Sequence, residues 1–230
     1  MSTRTNYSLQ NQEATCQMDQ LTITFYTDPL CCWSTAMDPH LQRLKDDLPG
    51  LINLNYCMCG MIADWSSYSD PLNNVNEPCE MGSVWRKAKD ETGVSINDEV
   101  WQNDPPCSSY PSCLAVKTAG LQSAAAEEKM LQQLRDAVMV KGLNIAREDV
   151  LAEVANQVAD RNPAFDLDRF KKDYNSPQSR NALKHDLKVV KNSDIGRFPT
   201  LTLDKDGFET VKVTGYIPYE TLAESLKYMF

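Results

Sequence analysis

Leu21, Ile23 and Phe25 alternate with Thr22, Thr24 and Tyr26, the two-residue period of a strand with one buried face. After the short link Thr27-Asp28-Pro29-Leu30 the period changes. Leu41, Leu44 and Leu48 follow helical spacing, and Pro49-Gly50 ends a helix that starts near Trp33. Ile52, Leu54, Tyr56 and Met58 then alternate with Asn53, Asn55, Cys57 and Cys59. A strand, helix and strand joined this tightly close as a right-handed crossover between parallel strands, so the chain opens as an α/β unit. Pro39 inside the helical stretch predicts a kink near Met37-Asp38, because proline removes one intrahelical hydrogen bond.

The end of the chain returns to the same kind of pattern. A strand is expected from Phe198-Pro199 to Leu203, a hairpin turn over Asp204 to Gly207, and a second strand from Val211 to Thr214. Pro218 then opens a helix with Leu222, Leu226 and Met229 on one face. Between the two ends lies a loop-rich stretch, Asp64 to Pro111, carrying Trp65, Trp85, Trp101 and a helix from Met81 to Glu91 that Gly93 ends. Helical stripes follow: Pro111 to Ala119, closed by Gly120; Met130, Leu131, Leu134 and Val138, capped by Gly142; and Val150, Leu151, Val154 and Val158. Ser176-Pro177 is an N-cap and first-turn pair opening a helix with Leu183, Leu187 and Val190 inward. The expected organisation is a disordered tail over residues 1–20 that includes Cys16, an α/β domain built from residues 21–65 and 191–230, and an all-helical insertion over residues 66–190.

The net charge of −9, from 32 acidic against 23 basic side chains, repels phosphate, so neither nucleic acid nor an anionic membrane is an expected partner. There is no apolar run of about 18 residues to span a bilayer. Residues Met1 to Gln20 are polar and lack the apolar core of a secretory signal. A cytoplasmic protein is therefore expected, with its eight cysteines as reduced thiols rather than a disulfide framework. No two separated Cys-x₂₋₄-Cys pairs occur, so no metal site is expected.

The stretch that carries chemistry is Cys31-Cys32-Trp33-Ser34, at the junction of the first strand and the first helix. Free backbone N–H groups and the helix dipole there favour a thiolate, so Cys31 is expected to have a lowered pKa and to act as a nucleophile. Ser34, one turn on, either donates to that thiolate or satisfies a backbone N–H. Cys32 is a neighbour whose Cα lies about 3.8 Å away, below the roughly 4.4 Å that an unstrained disulfide needs. Packing under the helix is its expected role, and a vicinal redox pair is the alternative. Cys57 and Cys59 share one strand face, as small residues packed against a helix, the alternative being a resolving thiol or metal ligands. Cys79, Cys107 and Cys113 have no informative spacing. His40 follows Cys31 by nine residues, about 13 Å along a helix, too far for a Cys–His ion pair. Trp65, just past the second strand, is at the end of the sheet where ligands bind, and is a candidate groove residue.

The element order, the turn Asp28-Pro29-Leu30-Cys31-Cys32-Trp33-Ser34 and the run Gly196-Arg197-Phe198-Pro199-Thr200 together resemble the DsbA-like branch of the thioredoxin superfamily. The nearest resemblance is to its cytosolic FrnE-like members, with the SpxH-type adaptors of the ClpXP protease and the kappa glutathione transferases as relatives. The resemblance implies a thioredoxin-like fold with a large helical insertion. It makes Cys31 the attacking thiol, and Pro199 a cis-proline that shapes a substrate groove with Phe198, Thr200, Trp33 and Trp65. Ser34 falls where the family usually has its resolving cysteine, so a mixed disulfide at Cys31 needs another thiol for release. The implied activity is thiol–disulfide exchange on protein or small-molecule thiols and disulfides, with no bound cofactor and with glutathione as a candidate co-substrate. The alternatives are a non-catalytic adaptor and redox sensor, or a glutathione-dependent isomerase or transferase of kappa type. No sequence signal bears on oligomeric state.

Overall fold

The computed structural model describes residues 20–229. Apart from Gln20, the expected tail and its Cys16 lie outside the described residues. In chain order the elements are β1 (Leu21–Thr27), α1 (Cys32–Asp47), β2 (Ile52–Met58), α2 (Met81–Thr92), α3 (Val100–Asn103), α4 (Tyr110–Gly120), α5 (Ala124–Arg135), α6 (Glu148–Arg161), α7 (Leu167–Asp173), α8 (Pro177–Asn192), β3 (Thr200–Asp204), β4 (Val211–Thr214) and α9 (Tyr219–Leu226).

The strands form one sheet in the order β2-β1-β3-β4. β1 is parallel to β2, from Leu21 opposite Ile52 to Thr27 opposite Met58, as a tight strand–helix–strand crossover demands. β3 runs antiparallel to β1 and pairs with β4 in a hairpin. One face of the sheet, with Leu21, Ile23, Phe25, Leu201 and Leu203, packs against Met37, Leu41 and Leu44 of α1 and Leu222 and Leu226 of α9. On the other face Tyr26, Cys57 and Cys59 lie under Val190 and Ile195, at and beyond the end of α8. Pro39 sits on the exposed side of α1, and the helix runs through it from Cys32 to Asp47.

The insertion is helical from α2 to α8, with a large core of its own that reaches up to Leu30, Cys32 and Met58. Between β2 and α2 the chain is irregular, with a short bridge between Asp70 and Val75. The stripe expected from Met130 to Val138 is divided. α5 ends at Arg135, and a π-helical turn, Asp136–Val140, carries the buried face on to Gly142 at φ +66°. The insertion also closes the free edge of β2. Asp186 Oδ2 accepts from Met58 N at 2.8 Å and from Lys117 Nζ at 3.0 Å, and Lys117 bonds Glu127 Oε1 at 2.6 Å. Burial opposes the Lys117 charge, but the two carboxylates outweigh it and hold its pKa above the ordinary value.

Candidate active site

β1 ends at Thr27, and Asp28 turns the chain into α1. Its Oδ1 accepts from Leu30 N at 2.9 Å, and its backbone oxygen accepts from Cys31 N at 3.0 Å. Its Oδ2 takes Met61 N at 2.6 Å, from beyond β2, and the Cys113 thiol at 3.4 Å, from α4. Asp28 is fully buried, and burial raises its pKa against the opposing backbone N–H groups of Leu30 and Met61. One carboxyl group thus joins the active-site turn, the second strand and the insertion.

Cys31 is the N-cap residue of α1, with extended backbone (φ −84°, ψ 105°). Its thiol is on the floor of a cavity of about 890 Å³ and is only 5% exposed. Cys32 and Trp33 line the same floor. Met81, Val84 and Trp85 of α2 contribute to its wall, as do Arg197, Phe198 and Tyr216. Leu72, at the tip of the irregular segment, is on the rim.

The charge state of Cys31 corrects the sequence expectation. Burial pushes its thiol up from the usual value. The Ser34 hydroxyl and backbone N–H pull it down, Asp28 pushes it up, and Arg135 lowers it slightly. The helix-start donors are present as expected, but they offset only part of the desolvation. Ser34 is fully buried and its Oγ has no hydrogen-bond partner in the resting structure, so the donor is free for a thiolate.

Cys32 packs in the insertion core, with its sulfur 3.9 Å from Val84 O, and burial raises its pKa well above normal. All seven described cysteines are free. The Phe198–Pro199 peptide is cis. Phe198 lines the cavity. Pro199 and Thr200 are buried behind it, the Pro199 oxygen accepting from Gly215 N at 2.8 Å and the Thr200 hydroxyl donating to Arg197 O at 2.8 Å. These two hold the wall and do not face the cavity.

Trp65 is placed differently from its expected position in the groove. Its indole N–H donates to Pro106 O at 2.8 Å, and its ring packs edge-on against Trp101 and against Tyr68, so that Tyr68 and not Trp65 lines the cavity. The tryptophan that does form a wall is Trp85, whose neighbours Met81 and Val84 at helical spacing were the available signal.

Two further side chains escaped the sequence reading. Tyr216, just past β4, packs on Trp33 at 6.1 Å between ring centroids and shares a 3.0 Å hydrogen bond with His40 Nε2. Arg135, almost fully buried, pairs with Asp38 of α1 and donates to the Thr27 hydroxyl beneath the active-site turn. Among the described residues no cluster of His, Cys, Asp or Glu suits a metal ion, and no helix is long and apolar enough to cross a membrane.

The family model for thioredoxin matches residues 25–224. The chain is similar to the ClpXP adapter protein SpxH of Halalkalibacterium halodurans, 30% identical over 213 residues, which cover 91% of this chain and 67% of that protein. It is 32% identical to SpxH of Bacillus subtilis over 212 residues, 90% of this chain and 66% of that one. The chain therefore spans about two thirds of the length of these relatives. Its fold is like that of the cytosolic disulfide reductase DsbM from Pseudomonas aeruginosa, with a TM-score of 0.68, 18% identity and coverage of 91% and 100%. The structure of DsbM with GSH matches at a TM-score of 0.59 and 18% identity, over 80% and 88% of the two chains. A family match running from β1 into α9, together with relatives at this identity, makes the chain a member of the thioredoxin superfamily, in the DsbA-like branch that also holds the SpxH-type proteins.

Proposed function

We propose that the chain carries out thiol–disulfide exchange at Cys31, in the reducing direction, with glutathione or another external thiol completing each cycle. The observation that carries this reading is a cavity-floor thiol beside a buried Ser34 hydroxyl that lacks any other partner. Cys31 rests as a thiol. On exchange its sulfur gives up a proton and bonds one sulfur of a substrate disulfide, while the other sulfur leaves as a thiolate and is protonated. As the Cys31 thiolate forms, Ser34 gains the acceptor it otherwise lacks. Strong oxidants of this superfamily owe their potential to a stabilised reduced form. Burial works against that stabilisation here, which supports the reducing direction. The likeness to DsbM, also solved with GSH, favours glutathione as the thiol. The test is reduction of a glutathionylated peptide by the purified chain, coupled to glutathione reductase. Turnover is expected for the wild type and its loss in C31S; equal turnover in C31S overturns the reading.

The SpxH relatives favour a second reading, an adapter that presents a client to ClpXP. It expects faster proteolysis of a bound client when the chain is added to purified ClpXP, with C31S as effective as the wild type. No acceleration by either form removes it. Both readings imply a cytoplasmic protein.

A further inference from the structure

The carboxyl ends of β1 and β2 lie side by side, with Thr27 in register with Met58. Cys59, the next residue, donates its N–H to Thr27 O at 2.8 Å, and Cys31 donates its own to Asp28 O at 3.0 Å. The backbones of the two cysteines are therefore tied to consecutive peptide carbonyls, on residues whose Cα atoms are about 3.8 Å apart. Both thiols are free and similarly buried, 5% exposed for Cys31 and 6% for Cys59. Phe198 packs against the cluster that contains Cys59 and lines the cavity that Cys31 floors. Gly60, directly after Cys59, lines that cavity as well, and its φ of +58° is one that a residue with a Cβ adopts only under strain.

We propose that Cys59 is the resolving thiol for mixed disulfides formed at Cys31, supplying what Ser34 cannot. This rests on the reading of Cys31 as the exchanging thiol. The Cys59 sulfur attacks the Cys31 sulfur of a Cys31–S–S–R adduct. The bond from Cys31 to R breaks, a Cys31–Cys59 disulfide forms, and R departs as a thiolate that takes up the proton Cys59 gives up. In this step the R sulfur is reduced and the Cys59 sulfur oxidised, while Cys31 stays at the disulfide level it reached when the adduct formed. Two molecules of an external thiol, glutathione by class, then reduce the Cys31–Cys59 bond and leave as their own disulfide. The Cys113 thiol is held by the Asp28 carboxylate at 3.4 Å, whereas the Cys59 thiol meets only a peptide carbonyl, Cys57 O at 3.6 Å, as Cys57 meets Asp186 O at 3.7 Å.

The test uses the full chain with Cys16, Cys79 and Cys107 replaced by serine, treated with the aromatic disulfide dithionitrobenzoate. Two equivalents of thionitrobenzoate should be released per chain, and peptide mapping should show a Cys31–Cys59 crosslink. In C59S one equivalent should be released, with the adduct retained on Cys31, while C57S should behave as the parent. The crosslink is read with both thiols in place, so it does not depend on how C59S folds. An adduct that persists on Cys31 in the parent as in C59S, or a crosslink from Cys31 to Cys32 or Cys113 instead, overturns the inference and leaves exchange at Cys31 standing. A Cys31 that forms neither an adduct in C59S nor a crosslink in the parent overturns both.

Discussion

At Ser34 a buried hydroxyl without a partner costs the resting fold about 1–3 kcal/mol, and the cost is relieved when Cys31 ionises beside it. S34A should therefore move stability and reactivity in opposite directions. Urea unfolding should show a gain of about 1 kcal/mol. Alkylation of Cys31 at neutral pH should slow, by about tenfold for each unit its pKa rises. The position of Cys31 at a strand-to-helix junction was legible from Phe25, Pro29 and the spacing of Leu41 and Leu44. Its protonation was not. The surroundings that go with its burial include Met61, beyond β2, and Met81, Val84 and Trp85 of α2, which line the same cavity and are not local in sequence. Trp65 makes the same point: its location past β2 was readable, but the Pro106 carbonyl that captures its N–H lies some forty residues on.

Among the elements, β2 depends most on the insertion, since its Met58 N–H and Tyr56 carbonyl are satisfied by Asp186 and Lys117. K117M would leave Glu127 and Asp186 facing each other in a largely buried site. A loss of about 3–5 kcal/mol at pH 7 is expected. Burial already raises the Glu127 pKa with Lys117 in place, and without the cation its folded-state value rises further above the unfolded one. The penalty is then incurred as pH rises through that window and relieved as pH falls toward the unfolded carboxylate value. Urea melts of K117M at pH 5 and pH 7 should show the deficit shrinking at the lower pH. The strands and long helices were readable because each repeats an apolar period several times. α3 and α7 are too short to repeat one. The stripe from Met130 to Val138 concealed the change from α-helix to π-turn, because Leu134, Ala137 and Val138 are all buried on either side of it.

Across the whole molecule, five buried thiols, Cys31, Cys32, Cys57, Cys59 and Cys113, have pKa values above normal, Cys57 at about 12, with burial as the first cause in each. Their folded-state values exceed the unfolded value of about 8.5, so the folded state holds protons that the unfolded chain releases. Stability should be unaffected by these groups below pH 8 and fall steeply between pH 8.5 and 10. Replacing Cys31, Cys57 and Cys59 with alanine should flatten that fall in urea titrations. The cavity gives a separate prediction through Leu72, 70% exposed on its rim. L72D should leave unfolding within about 0.5 kcal/mol of wild type and leave iodoacetamide labelling of Cys31 unchanged. It should slow reaction with a bulky apolar disulfide several-fold, as competition between two disulfide reagents would measure. The sequence made the two halves of the sheet domain readable, but not that α2 and the segment around Leu72 would wall the space above the thiol. Sulfur chemistry is thus supplied by one layer of the protein and the shape of the entrance largely by another. Evolution or a designer could exchange the inserted helices and change which molecules are admitted, while leaving untouched the atom that reacts with them.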